Sequence, residues 1–309
     1  MEAQKVPVLF IIFNRPKLAL QSFRTIKTYH PERIYIAADG PREGVKNDQK
    51  KCEETRELIL EQIDWPCRVE KLFREENIGC GRGVSEAISW MFTQEEYGII
   101  IEDDCNVSLD FFSMCEVLLP KYKQDERIAQ INGFDLKKSS CSSDSYSFLS
   151  YPECWGWATW KRAWQNFDIE MKNWKSLRRK VFKRFSFQEA CIHYFLWNRL
   201  YNTIISKKQK QNIWDFQWSI HIFLENRLCI SPLANLVINT GFGKNSTNCG
   251  DIHSPLATAA WGHLKFPIQH PEKVEADAWR EKEKSREYIK QYRGIFFRKM
   301  YNFLNNIKK

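Results

Sequence analysis

No stretch of this chain approaches the ~18 to 20 consecutive apolar residues that cross a bilayer. The run Val6 to Phe13 stops after eight residues at Asn14-Arg15-Pro16 and reads as a buried strand, with no signal core behind it. The expected location is therefore the cytoplasm, or the inner face of a membrane as a peripheral protein. The ten cysteines contain no CxxC pair and no close histidine at zinc-finger spacing, which excludes a zinc module and predicts reduced, mostly buried thiols. Neither the P-loop nor the Rossmann glycine spacing is present, and no internal repeat is visible. The basic residues are dispersed and the aromatics follow no RNP-like pattern, so nucleic acid is not an expected partner. The sequons at Asn106 and Asn245, without a secretory signal, read as accidental.

What is present suits a globular body. With 309 residues, 43% hydrophobic content and 12 Trp, the chain can bury a sizeable core as one large domain or two lobes. A net charge of +9 favours an anionic partner such as a nucleotide diphosphate or a phospholipid surface.

Over residues 1–135, apolar runs alternate with helical spacings. Candidate strands are Val6–Phe13, Arg33–Asp39, Cys67–Phe73, Tyr97–Glu102 and Ile128–Gly133. Between them Lys17–Tyr29, Gln49–Ile63, Gly81–Phe92 and Asp110–Lys123 have helical periodicity, with Asp110 placed to cap its own helix. This pattern predicts an α/β nucleotide-binding half built on a mostly parallel sheet covered on both faces. Ligands of such sheets bind beyond the carboxyl ends of the strands. Asn14-Arg15, Asp39-Gly40 and Glu102-Asp103-Asp104 follow the first, second and fourth strands, so they should converge on one cleft.

From residue 136 the alternation stops. A Ser-rich loop (Ser139 to Ser147) leads into the aromatic segment Tyr151 to Trp160, then a basic helical region over residues 160–210, a helix at Trp214–Leu224 and a strand at Leu236–Asn239. Residues 136–270 are thus expected to form an aromatic-rich, acceptor-binding and catalytic half of the same domain. Residues 271–309 form a helical tail, a charged helix over Glu272–Arg293 and then Gly294–Lys309. There Ile295, Phe296, Met300, Phe303, Leu304 and Ile307 share one face, edged by Arg298, Lys299, Lys308 and Lys309. This spacing suits a helix lying on an anionic membrane surface, and equally one packed on the body.

The strongest chemical feature is Gly98-Ile-Ile-Ile followed by Glu102-Asp103-Asp104. Three adjacent carboxylates cost free energy unless a cation neutralises them, and hard oxygen ligands suit Mg2+ or Mn2+ with substrate phosphates completing the shell. The plainer alternative is a solvated acidic turn.

The order of segments resembles the glycosyltransferase-A fold, and within it the inverting N-acetylglucosaminyltransferase I family, from Val6 to about Gly250. The residues that carry the likeness are Glu102-Asp103-Asp104 with the following Asp110-Phe111-Phe112, Arg15 after the first strand and Asp39-Gly40 after the second. Tyr151 to Trp164, Trp214-Asp215 and Asn239-Thr240-Gly241-Phe242-Gly243 follow in the same order. The resemblance implies a UDP-sugar donor, Asp104 as direct metal ligand, Glu102 and Asp103 on ribose or donor sugar, and Arg15 with Asp39 on the uracil edge. An aspartate can accept from the imide N–H and an arginine can donate to the carbonyls.

Asn77-Ile-Gly-Cys-Gly-Arg82-Gly83 opens a helix. Its glycines permit close approach to a nucleotide, and Arg82 would reach a phosphate or ribose; a purely structural helix start is the alternative. Transfer with inversion needs a base on the acceptor hydroxyl. Asp215, among Trp214, Phe216 and Trp218, is the first candidate, with Glu153 the runner-up; a helix cap is the bland role for Asp215. Lys244, in a glycine-flanked loop, is placed to close over the donor. Trp155, Trp157 and Trp160 would stack on acceptor rings or fill the core.

The expected activity is metal-dependent transfer from a nucleotide sugar to a glycan or lipid-linked acceptor, as in polysaccharide biosynthesis. The alternative is a non-catalytic carbohydrate- or membrane-binding protein on the same fold. A sugar-nucleotide pyrophosphorylase would require a glycine- and basic-rich loop after the first strand, which Asn14-Arg15-Pro16 does not supply.

Overall fold

The computed structural model describes residues 5–135, 143–205, 213–242 and 258–307, without the side chains of 205 and 295–307. Lys244 lies outside the described residues, as do residues 139–142 of the Ser-rich loop. The first half follows the predicted order: β1 (Val8–Ile12), α1 (Pro16–Tyr29), β2 (Arg33–Ala38), α2 (Asp48–Glu61), β3 (Arg68–Phe73), α3 (Cys80–Met91), β4 (Tyr97–Glu102), β5 (Cys105–Val107), α4 (Leu109–Lys121) and β6 (Ile128–Asn132). Continuous apolar runs such as Val8-Leu-Phe-Ile-Ile12 have nowhere to show a polar face. They form the central strands, which are buried on both sides. Pro16 opens α1, where its missing N–H costs nothing and its φ is already helical.

The second half adds β7 (Tyr146–Leu149), β8 (Trp157–Trp160), α5 (Lys161–Trp164), α6 (Trp174–Leu177), α7 (Val181–Arg184), α8 (Phe187–Ile205), α9 (Asp215–Leu224), β9 (Leu228–Pro232), β10 (Val237–Asn239) and α10 (Ala278–Ile307). A single eight-stranded sheet in the order β3-β2-β1-β4-β8-β6-β9-β7 joins both halves, and β5 pairs with β10 separately. Six strands run one way, while β8 and β7 are antiparallel to their neighbours. The architecture is α/β, a mostly parallel sheet flanked by helices, as the sequence pattern predicts.

The aromatic segment divides between core and edge. Trp157 and Trp160 are fully buried in β8, and Trp157 stacks on Trp214 at 5.5 Å. Trp155 is half-buried and meets Phe134 and Phe242 edge-on. A buried polar ladder pins the chain before β8. Trp218 Nε1 donates to Gln130 Oε1 at 2.6 Å, and Gln130 Nε2 donates to the Glu153 carbonyl at 2.8 Å. Asn132 Nδ2 donates to the Tyr151 carbonyl at 3.0 Å. The buried amides of Gln130 and Asn132 are thereby paired, and residues 151–153 are fixed above β6.

Two local expectations are corrected. Asp110 does not cap α4. Ser108 is the N-cap and accepts from the Phe111 N–H, while Asp110 accepts from the Leu264 N–H at 3.0 Å. The C-terminal helix begins at Ala278, not Glu272, because residues before it run extended beside β7: Ala276 bridges Phe148, and the Asp277 N–H donates to the Phe148 carbonyl. Asp277 then caps α10 by accepting from the Trp279 and Arg280 N–H groups. The helix also passes through Gly294 without a break.

The first half of α10 packs on the body. Arg280, 2% exposed, pairs with Asp135 and donates to Ser147 Oγ at 2.7 Å. Tyr288 stacks on His193 at 4.1 Å, and Ser285 Oγ donates to Glu189. No helix among the described residues is long and apolar enough to cross a membrane.

Candidate active site

The carboxyl ends of β1, β2 and β4 open into one cleft of 880 Å³. Its lining includes Asn14, Arg15, Asp39, Glu102 and Asp103, so the three polar strand ends converge as expected. Arg42, Lys51, Arg74, Asn77 and Cys80 complete the wall. The result is an acidic floor at the end of β4 with cationic side chains around it.

Arg15 sits on the acidic floor. Its guanidinium makes a two-pronged contact with Asp103 and donates from NH1 to Asp104 Oδ2 at 2.8 Å. Asp103, 2% exposed, also accepts from the Phe13 N–H at 3.2 Å. Burial raises the Asp103 pKa, and Arg15 opposes the rise. Burial would lower Arg15, but the two aspartates outweigh it and hold it above its ordinary value. Arg15 makes no ion pair with Glu102, though its charge also opposes the rise there. Burial, then the charges of Asp104 and Asp103, push Glu102 up to about 8.

Asp104 faces the β5–β10 pair. Its carbonyl accepts from the Thr240 N–H at 2.8 Å, and a Cβ built on Gly241 would lie 2.2 Å from Asp104 Oδ2. Only glycine lets this strand end cross so close to the carboxylate. Among the described residues, no group of three or more His, Cys, Asp or Glu side chains is arranged to hold a metal ion. Asp104 offers a hard oxygen of the kind that binds Mg2+ or Mn2+ alongside substrate phosphates.

Asp39 clamps the next turn. Its carboxylate accepts from the N–H groups of Gly40, Ile78 and Gly79 at 3.0 to 3.1 Å, which seats Asn77–Gly79 on the cleft rim. Gly40 packs so tightly on Glu76 that a Cβ there would lie 2.4 Å from its backbone. Arg82 turns away into an exposed 3.5 Å pair with Glu170.

Asp104, Asp215 and Glu153 are not among the residues that line the cleft. Asp215 begins α9 and takes backbone N–H groups of that turn, yet burial prevails and raises its pKa. Its charge raises the pKa of Glu102 and of the Cys80 thiol, which burial lifts first. Glu153 is likewise raised by burial, opposed by Lys284, whose Nζ donates to Oε1 at 2.7 Å. Of the two base candidates, Glu153 is thus tied to a cation on α10, while among the described residues Asp215 is held by N–H groups of its own turn.

The sequence reading missed Arg42, Lys51 and Arg74. Arg74 directly follows β3, so the strand-end rule applied to the third strand would have flagged it. Arg42 is anchored by Asp48, which is 2% exposed and held to about 2 chiefly by the Arg42 hydrogen bond. All eight described cysteines are free thiols.

No family model matches the chain, and no curated protein matches it. Similar folds occur among solved structures. HddC from Yersinia pseudotuberculosis, complexed with GMP-PN, is 11% identical over 52% of this chain and 80% of its own, with a TM-score of 0.31. S. aureus TarS 1-349 is 12% identical over 53% of this chain and 49% of its own, with a TM-score of 0.33. A UDP-glucose pyrophosphorylase complexed with UDP-glucose is 9% identical over 74% of this chain and 90% of its own, with a TM-score of 0.35. Likenesses at this level leave the chemistry to the geometry of the site itself.

Proposed function

We propose that the chain is a glycosyltransferase that moves a sugar, with inversion, from a nucleotide diphosphate donor of the UDP-sugar type to a glycan or lipid-linked acceptor. The observation that carries the reading is the convergence of three strand-end polar turns on one cleft with an acidic floor and a cationic wall. Arg42, Lys51 and Arg74 suit the donor's phosphates, and the Asn77–Gly79 rim offers backbone to its nucleoside. Arg15 and Asp39, already engaged, keep lone pairs and N–H groups at the rim for the base. Asp104 would hold Mn2+ or Mg2+, which when bound neutralises charge on the departing diphosphate.

Asp215 is the base. Its raised pKa suits taking the acceptor hydroxyl proton as oxygen bonds to the anomeric carbon and the bond to the diphosphate oxygen breaks. The proton ends on the Asp215 carboxylate and the electron pair on the nucleotide. Lys244 would assist the departing diphosphate, and the sequence of Gly294–Lys309 supports contact with an anionic membrane surface.

A thermal-shift panel of nucleotide sugars, with and without Mn2+, tests the reading. One UDP-sugar should raise the midpoint by several degrees, since binding at roughly a hundred times Kd adds about 2.7 kcal/mol. No shift with any member would leave a non-catalytic carbohydrate-binding protein as the better reading.

A further inference from the structure

Met171–Gln188 contains seven Lys or Arg residues and no Asp or Glu. It folds as α6, a 3-10 turn (Arg178–Lys180) and α7, leading into α8. Trp174 and Val181 are buried and Phe185 packs inward against Trp197 and Phe223. The other face is the unusual one. Phe187 is 80% exposed and Phe182 44% exposed, with ring centroids 6.4 Å apart. Phe182 also meets Tyr194 at 5.5 Å, and the Arg178 guanidinium lies over that ring.

Lys175, Arg179, Lys180 and Lys183 of the same segment are exposed. Among the described residues, no carboxylate pairs with them; Glu170 pairs with Lys172 and Arg82 instead. None of the segment lines the cleft.

We propose that this face docks on an anionic lipid surface. Two exposed phenylalanines in one segment with unpaired lysines and arginines have the make-up of an interfacial element, whose rings enter the headgroup boundary while its cations meet lipid phosphates. An acidic protein would satisfy the cations but would need an apolar counterpart for both rings, whereas the acyl boundary accepts them without a matched shape. The surface is tied to the chain just before β8, because Arg184 donates to Ser150 Oγ and Tyr151 donates to Glu189 of α8 at 2.7 Å. Docking would hold residues 150–153, and with them Glu153, towards the bilayer.

The test is co-sedimentation of the full chain with sucrose-loaded vesicles, either phosphatidylcholine alone or phosphatidylcholine mixed with phosphatidylglycerol. It involves no donor or acceptor and so stands apart from the catalytic reading. The wild-type chain should pellet with the anionic vesicles only. Lys175→Glu, Lys180→Glu and Lys183→Glu together should weaken partition by about a hundredfold, and Phe182→Ser with Phe187→Ser by roughly tenfold. All five positions are exposed, and circular dichroism of each variant confirms the fold. Wild-type binding to neither vesicle, equal binding to both, or undiminished binding by either folded variant would overturn the proposal; binding to neither would hand the face to an acidic protein.

Discussion

Replacing Arg15 by Met should leave a buried charge without its cation. The substitution removes the guanidinium contacts to Asp103 and Asp104 and leaves Asp103, 2% exposed, with the Phe13 N–H as donor. Breaking a buried pair from one side costs about 3 to 5 kcal/mol. Protonation limits that cost. Holding a proton on a carboxyl of ordinary pKa 3.8 requires about 6 kcal/mol near pH 8 and about 2 kcal/mol near pH 5, at roughly 1.4 kcal/mol per unit. The deficit should therefore be about 3 to 5 kcal/mol near pH 8 and fall to about 2 kcal/mol or less near pH 5. The sign follows from linkage: the variant's folded state keeps a proton that the unfolded chain releases, so stability is gained as pH falls and lost as it rises through the folded pKa. Urea denaturation followed by tryptophan fluorescence at the two pH values measures both deficits. A loss below about 1 kcal/mol at both, or a loss independent of pH, would refute the account of Arg15 as the partner of a buried carboxylate.

Glu102→Gln tests the opposite corner. Glu102, raised to about 8 from 4.5, adds stability fully present below about pH 4.5 and lost as pH rises through about 8, so the variant should gain up to about 5 kcal/mol over wild type near pH 9 by urea midpoint, at roughly 1.4 kcal/mol per unit, and little near pH 4. Asp215→Asn should bind donor normally yet transfer about 10² to 10⁴ times more slowly; turnover within a few-fold of wild type would pass the role to Glu153. Gly241→Ala, whose Cβ would meet Asp104 Oδ2 at 2.2 Å, should destabilise by about 1 to 3 kcal/mol and weaken donor binding, both read by melting with and without nucleotide. Arg280→Met leaves Asp135 with Lys284 at 3.8 Å and the Ser231 hydroxyl at 2.7 Å, so it should cost less than the roughly 3 to 5 kcal/mol of a buried charge left alone, with part regained on adding Asp135→Asn; no change in the single variant by urea midpoint would mean that Lys284 alone neutralises Asp135.

The first half was legible because its signals are local. Uninterrupted runs such as Ile99–Ile101, closed by carboxylates, mark a central strand and its functional end together, while the start of α4 is less legible: Asp110 is the expected cap and Ser108 is the one observed. The second half depends on pairings that no local pattern carries. Trp157–Trp160 reads as an aromatic cluster, but its place as an antiparallel strand between β4 and β6 is set by Gln130, Asn132 and Trp218 reaching it from distant segments. The acidic triplet pointed to a cation, and Arg15 is a cation already in place there. Its engagement with Asp103 and Asp104 depends on the β1–β4 pairing, which spacing alone does not reveal. Helix α10 began late because Asp277, rather than the earlier charges, supplies the cap.

The central claim is that a nucleotide sugar binds in the cleft with its diphosphate near Asp104. Isothermal titration of the UDP-sugar that stabilises the protein, into the wild-type chain and into Asp104→Ala, each with Mn2+, tests it most directly. The account predicts saturable one-to-one binding by the wild type and at least roughly tenfold weaker binding by the variant, about 1.4 kcal/mol or more, with the melting midpoint of the free protein little changed. Equal affinity in the two proteins, or no binding by the wild type, would contradict it.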